Sequence, residues 1–216
     1  MENVRLLMDL FGNMNKLERR IIDLSYKYKK AHISSCLGTV NLLDAIYKQK
    51  KPKDIVILGN AHAGLAQWVV LEKYGFCNAE KMLKKYGTHT FRDVKHGVYV
   101  SGGSLGQAET IAVGMALADR NRIVYLVTSD GACAEGSVWE SLRIAVELKL
   151  DNLCVAVIIN GYSAYGKVNR LWLRDRLRPF CHVRSFIPKY SKWPKWLKGL
   201  NGHYQVMNED QYNELR

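Results

Sequence analysis

Arg122-Ile-Val-Tyr-Leu-Val-Thr-Ser-Asp-Gly131 and Asn152-Leu-Cys-Val-Ala-Val-Ile-Ile-Asn-Gly161 decide the fold. Each is a short, continuous apolar run ending in polar residues and glycine, as a strand buried on both faces of a parallel sheet reads. Asp54-Ile-Val-Ile-Leu-Gly59 repeats the shape upstream. Helical stretches over 63–74, 105–119 and 136–149 separate or follow these runs, and the Ala and Gly of the second predict close packing against a sheet. Strands joined through helices of this length build βαβ units. The expected fold is therefore α/β, a mostly parallel sheet with helices on both faces, in one domain spanning 1–216 with a basic segment from about 167. Leu17, Ile21, Ile22, Leu24, Tyr26 and Tyr28, in mixed helical spacing, predict a first helix near 14–30. A second is expected to start at a Thr39 or Asn41 cap and run to about Tyr47, with Asp44 in its early turns.

The 216 residues carry 32 Lys plus Arg against 20 Asp plus Glu, a net charge of +12, with 48% apolar and 24% charged residues. That composition excludes a disordered chain, a collagen and a disulfide-rich mini-scaffold. The start, Met1-Glu2-Asn3-Val4-Arg5, has no basic region followed by an apolar one, and no window reaches the length of a membrane span, so a cytoplasmic address is expected. Cys36, Cys77, Cys133, Cys154 and Cys181 are odd in number and never spaced Cys-x-x-Cys, which reads as reduced thiols. The charge is concentrated: ten basic residues from Lys167 to Lys198 stand against Asp175 alone, interleaved with Trp172, Trp193 and Trp196. Nucleic acid, a phosphorylated small molecule or an acidic partner each fits such a stretch.

Ligands of open parallel sheets bind beyond the carboxyl ends of the strands. Ser129-Asp130-Gly131 and Asn160-Gly161-Tyr162 lie there. A carboxylate and a side-chain amide from neighbouring strand ends offer hard oxygen donors suited to Mg²⁺. Gly131 lets the backbone approach a phosphate, and a helix opening near Gly136 presents unpaired N–H groups to it. Asp-Gly and Asn-Gly are also ordinary turn pairs. The residues between them favour the joint site.

Those residues read Ser129-Asp-Gly-Ala-Cys-Ala-Glu-Gly-Ser-Val-Trp-Glu140, then Leu148-Lys-Leu-Asp-Asn-Leu153, then Ile158-Ile-Asn-Gly-Tyr162. Here the chain resembles the thiamine-diphosphate-binding half of transketolases. The likeness extends upstream through His32-Ile-Ser-Ser-Cys-Leu-Gly38, Leu58-Gly-Asn-Ala-His-Ala-Gly64, His89, Gly97-Val-Tyr-Val-Ser-Gly-Gly-Ser-Leu-Gly-Gln107 and Ala112-Val-Gly-Met-Ala116, covering roughly 15–166.

By position, the resemblance implies that Asp130, Asn160 and the main-chain carbonyl of Tyr162 hold Mg²⁺. Ser129 and Gly131 would lie near the diphosphate of thiamine diphosphate, and Gly103 and Leu105 would line the cofactor. His32, His62 and His89 would face substrate or diphosphate. Glu135 and Glu140 would join an acidic network between paired active sites, or serve only as charges in the first turn of a helix. The implied reaction transfers a two-carbon ketol unit from a ketose, through the cofactor as electron sink, to an aldehyde. At this length the chain is not expected to contain the family's pyrimidine-binding domain. The resemblance therefore implies the amino-terminal subunit of a split enzyme, an α2β2 heterotetramer with a separate pyrimidine-binding subunit. Its substrate would be a sugar phosphate or nucleotide-linked sugar, with nucleic acid disfavoured.

The chain departs from the family pattern at Ser129, Ala108, Ser34 and Tyr99. Leu200-Asn-Gly-His203 echoes a family Asp-Gly-His segment, while the family's final strand and its histidine loop read as absent. Two other classes stay open: a decarboxylating or acyloin-type thiamine diphosphate enzyme, and a non-catalytic binding or regulatory subunit.

Overall fold

A computed structural model describes residues 14–163, 165–188 and 193–215. The Met1–Arg5 start, and Lys189 and Lys192 of the basic stretch, lie outside the described residues. In chain order the elements are α1 (Lys16–Lys27), α2 (Ile33–Gln49), β1 (Ile55–Leu58), α3 (Gly64–Lys73), α4 (Ala79–Tyr86), α5 (Gln107–Ala118), β2 (Val124–Ser129), α6 (Gly136–Glu147), β3 (Leu153–Ile158), β4 (Tyr162–Ser163), β5 (Gly166–Lys167), α7 (Arg170–Leu177), β6 (Val183–Phe186), α8 (Gly199–Tyr204) and α9 (Glu209–Leu215). Their contacts divide into two compact units.

The first unit, residues 49–61 and 89–188, holds the sheet. Its order is β1-β2-β3-β6 with every pair parallel, as the uninterrupted apolar runs predict. Ala108, Ala112 and Ala116 put small side chains on the face of α5 that joins the strand residues Ile55, Ile57, Leu126 and Val155 in one core, so the helix approaches the sheet closely. The Asp-Asn turn before β3 is a structural clamp: Asn152 Nδ2 donates to the carbonyls of Ala116, Asp119 and Arg122 at 2.9, 3.1 and 3.0 Å.

β6 is a strand that the sequence pattern did not announce, and it lies before the Leu200–His203 segment. It pairs with β3 from Val155↔Val183 to Ile158↔Phe186. Arg184 and Ser185 break the apolar run because this is an edge strand, buried only at Val183, and an edge needs no continuous apolar sequence.

The second unit comprises the described residues within 1–48, 62–88 and 189–216 and is helical. Asn15 caps α1 in a reciprocal box with Glu18, satisfying the helix's free N–H groups. The expected start of α2 is corrected here. The helix begins at Ile33, so Thr39, Asn41 and Asp44 are interior. Thr39 is buried. The Asn41 side chain instead bridges Asn15 and Glu18 at 2.8 and 2.9 Å, and Asp44 pairs with Lys73 of α3 at 2.5 Å.

The sheet unit also buries a carboxyl that the motifs leave unassigned. Glu109 on α5 is 1% exposed. It accepts the Thr128 hydroxyl on Oε1, while Oε2 has no hydrogen-bond partner among the described residues. Burial raises its pKa above the ordinary carboxylate range. Native Glu109 therefore binds its proton more tightly than the unfolded chain does. Stability is greatest below the unfolded pKa and falls, by up to ~1.4 kcal/mol per pH unit, until the raised native value is passed. Glu109→Gln is expected to remove this share of the decline, read as the difference between the two proteins in urea unfolding as the pH rises from about 4 to 8. Parallel curves would contradict the assignment.

Candidate functional site

The ends of β2 and β3 meet in register at Ser129↔Ile158, which brings their following loops side by side. Asp130 is 2% exposed, and each carboxylate oxygen accepts one backbone N–H: Oδ1 from Gly131 at 3.1 Å and Oδ2 from Gly161 at 2.6 Å. Its own N–H donates to Ile158 O at 2.9 Å. Burial nonetheless pushes this carboxyl up to about 6, against the opposing pull of the backbone N–H groups around it. A bound cation restores the charged form, because opposite charge favours ionisation.

Asn160 Oδ1 accepts the Tyr162 N–H at 2.8 Å, an Asx turn that orients the amide oxygen. A carboxylate, an amide oxygen and a neighbouring main-chain carbonyl are a donor set suited to a hard divalent cation, and the lone pairs not used by the N–H bonds are free to ligate it. A Cβ at Gly131 would stand 3.6 Å from Ser129 Oγ, 3.8 Å from Leu105 Cδ1 and 3.8 Å from Ser163 Cα. The glycine thus keeps bare backbone facing Leu105 and the β4 strand. α6 starts five residues after Gly131, and its N-cap residue Glu135 makes no side-chain cap.

The 102–106 turn is assembled by close approach. Gly102 donates to Thr90 O at 2.9 Å, tying the segment after His89 to the turn. Gly103, at φ +148, lies beside His89, whose Cδ2 would be 3.9 Å from a Cβ there. At the next corner, Gly106 has φ +82, and a Cβ would come within 2.8 Å of Glu135 Cβ. Glu135 accepts the Tyr165 hydroxyl at 2.9 Å. Glu140 is exposed and held by Arg143 at 2.6 Å.

In the helical unit the structure brings His32 and His62 together, with ring centroids 5.3 Å apart. A third imidazole completes the group. His203 lies 4.4 Å from His32 and 5.0 Å from His62 between centroids, and its carbonyl accepts the His32 N–H at 3.0 Å. His32 is held at φ +62, an uncommon backbone for a side-chain-bearing residue and one that clusters at functional sites. Ser35 Oγ stands 3.2 Å from His203 Nδ1, and partial burial lowers the His203 pKa, favouring the neutral ring. Gly202 fixes the placement, since a Cβ there would meet Leu197 C at 2.4 Å. The Asn-Gly-His segment was the only signal of this residue in the sequence, and 171 positions separate it from His32.

The family model described as 1-deoxy-D-xylulose-5-phosphate synthase matches residues 8–172. An apulose-4-phosphate transketolase subunit of Phocaeicola vulgatus is 30% identical, over 76% of this chain and 67% of that protein. The chain belongs to the transketolase family. A second relative of this transketolase-family chain, 6-deoxy-6-sulfo-D-fructose transketolase subunit SqwG of a Clostridium species, is 28% identical over 82% of the chain and 74% of its own length. Solved transketolases share the fold: that of Campylobacter jejuni superposes with a TM-score of 0.71 at 20% identity, and one from Pichia stipitis with 0.73 at 19%. These cover 93% and 92% of the chain but only 43% and 39% of the larger proteins. Among the described residues, no helix is long and apolar enough to cross a membrane.

Proposed function

We propose that this chain is the amino-terminal, diphosphate-binding subunit of a heteromeric transketolase-like enzyme that moves a two-carbon ketol unit from a ketose or ketose phosphate to an aldose or keto-sugar acceptor. The observation that carries the reading is the convergence of Asp130, Asn160 and the Tyr162 main chain beyond two adjacent parallel strands. Relatives named as single subunits of transketolases support a partner chain. We take that partner to bring the pyrimidine-binding side in an α2β2 assembly in the cytoplasm.

Asp130, Asn160 and the Tyr162 carbonyl would hold Mg²⁺, with Ser129 and Gly131 against the diphosphate and Gly103 and Leu105 along the cofactor. Thiamine diphosphate, when bound, supplies the electron sink for breaking a bond next to a carbonyl. The chain's own residues then have defined tasks. His32 and His62, with His203 beside them, would hold and move protons at sugar hydroxyls, since an imidazole titrates near neutral pH. His89, exposed beside Gly103, would face substrate or diphosphate. Glu135 would contribute through its hydrogen bond to Tyr165, whereas Glu140, neutralised by Arg143, is the weaker candidate for an acidic network. The basic 167–198 stretch suits a phosphorylated sugar or an acidic partner face better than nucleic acid, because it is continuous with the loop after Asn160.

The chain mixed with a candidate pyrimidine-binding subunit is expected to transfer a ketol unit from xylulose 5-phosphate or fructose 6-phosphate to an aldehyde, followed by product chromatography. The description of the matching family model favours a second reading, a decarboxylating acyl-transferring enzyme. Release of CO₂ from a 2-oxo acid without ketol transfer would select it. Neither activity, in a mixture that forms a complex, would leave the non-catalytic subunit.

A further inference from the structure

Gly161 lies at φ +94, and a side chain placed there would begin 3.2 Å from Cδ, 3.3 Å from Cγ and 3.7 Å from Nε of Arg170. The stem of Arg170 therefore runs along the open edge of the residue whose N–H holds Asp130. The Gly161 carbonyl accepts the Val168 N–H at 2.8 Å, and Asn169 caps the first turn of α7 through the Trp172 N–H at 3.1 Å. These bonds fix the start of α7 against the Asn160–Tyr162 loop, and Arg170 is its first residue.

The other two arginines of α7 are engaged elsewhere. Arg174 bonds Asp175 at 2.9 and 3.1 Å, and Arg176 stacks over the Trp172 ring at 4.3 Å. Among the described residues Arg170 has neither a carboxylate nor an aromatic ring as partner. It also stands where a cation is disfavoured, because the amino end of a helix carries partial positive charge. Helix stability gains nothing from it. An exposed arginine whose stem and Nε lie beside Gly161 is matched to an anion that arrives with the cation, and its planar fork suits two phosphate oxygens.

We propose that Arg170 is a diphosphate-binding residue, a second positive charge beside the Mg²⁺ held by Asp130 and Asn160; the inference rests on the thiamine diphosphate reading above. A diphosphate carries more negative charge than one divalent cation balances, and Arg170 is placed to meet the remainder. Lysine at this position keeps the charge but loses the fork, so it restores binding only in part.

The test is calorimetry on the full chain with two probes, Mg²⁺-thiamine diphosphate and Mg²⁺-thiamine monophosphate, at about 50 and 200 mM KCl. Arg170→Ala is expected to weaken diphosphate binding by about tenfold or more, to weaken the monophosphate less, and to flatten the salt dependence. Arg170→Lys should fall between the two, and Arg174→Ala should bind as the parent protein does. Equal affinity and salt dependence in Arg170→Ala, with binding still lost in Asp130→Ala, would overturn the Arg170 assignment alone. A loss of the same size for both probes at both salt concentrations would also overturn it, because that pattern belongs to a structural defect. Failure of the parent protein to bind either probe, alone and in complex with a partner subunit, would overturn the underlying reading together with the proposal.

Discussion

Asp130→Ala is expected to abolish the thermal stabilisation that Mg²⁺ and thiamine diphosphate would confer on this chain under the proposed function. The ligand at about a hundred times its dissociation constant stabilises a protein by ~2.7 kcal/mol, which for a chain of this size raises Tm by roughly 5–10 °C. Removing one carboxylate from a donor set of three oxygen groups should cost more than ~100-fold in affinity, beyond what outer-shell changes cost, so the shift disappears. The substitution also leaves the Gly131 and Gly161 N–H groups without the acceptor that holds them. Asn160→Ala is the companion variant. It keeps Asp130 and its backbone bonds, and it should reduce the Tm shift strongly while leaving the ligand-free melt near that of the parent. A full thermal shift in Asp130→Ala would remove that residue from the site.

Gly102→Ala is expected to have the largest effect on the ligand-free protein. A Cβ at 102 would stand 2.2 Å from the Cβ of Ala61 and 3.2 Å from Thr90 Oγ1, and two carbon atoms cannot share that distance. Either the turn or the segment after β1 must move, at about 1–3 kcal/mol for overpacking, which lowers Tm by several degrees. The movement reaches the site because Gly103 and Leu105 follow in the same turn. Gly114→Ala is the contrast: it lies inside α5 with nothing within 4 Å of a Cβ, and alanine there should stabilise by ~0.5–1 kcal/mol. Equal melting temperatures for the two variants would mean that the 102 turn is looser than the structure shows.

What the sequence conveyed followed from how each element is stabilised. β1, β2 and β3 are buried on both faces, so their apolar runs announced them, and the polar residues ending those runs marked Asp130 and Asn160. α5 announced its packing through its alanines. Where polar side chains work inside the fold, local reading misled. Asn41 looked like a cap because asparagine favours caps, yet it links two helices. β6 was hidden by Arg184 at the sheet edge, and α2 reaches back to Ile33 because His32 adopts a left-handed backbone that no local pattern announces. His203 and Arg170 depend on tertiary placement, one against His32 and the other against Gly161. Glu109 sits where a helix of small and apolar residues faces the sheet, and only its burial distinguishes it from a solvated charge.

The most direct test of the proposed function is titration of the chain, in complex with a candidate partner subunit, with thiamine diphosphate in Mg²⁺ and again in EDTA. Saturable heat in Mg²⁺ and none in EDTA is expected. Absence of binding in Mg²⁺, or equal binding in both, would contradict the proposal.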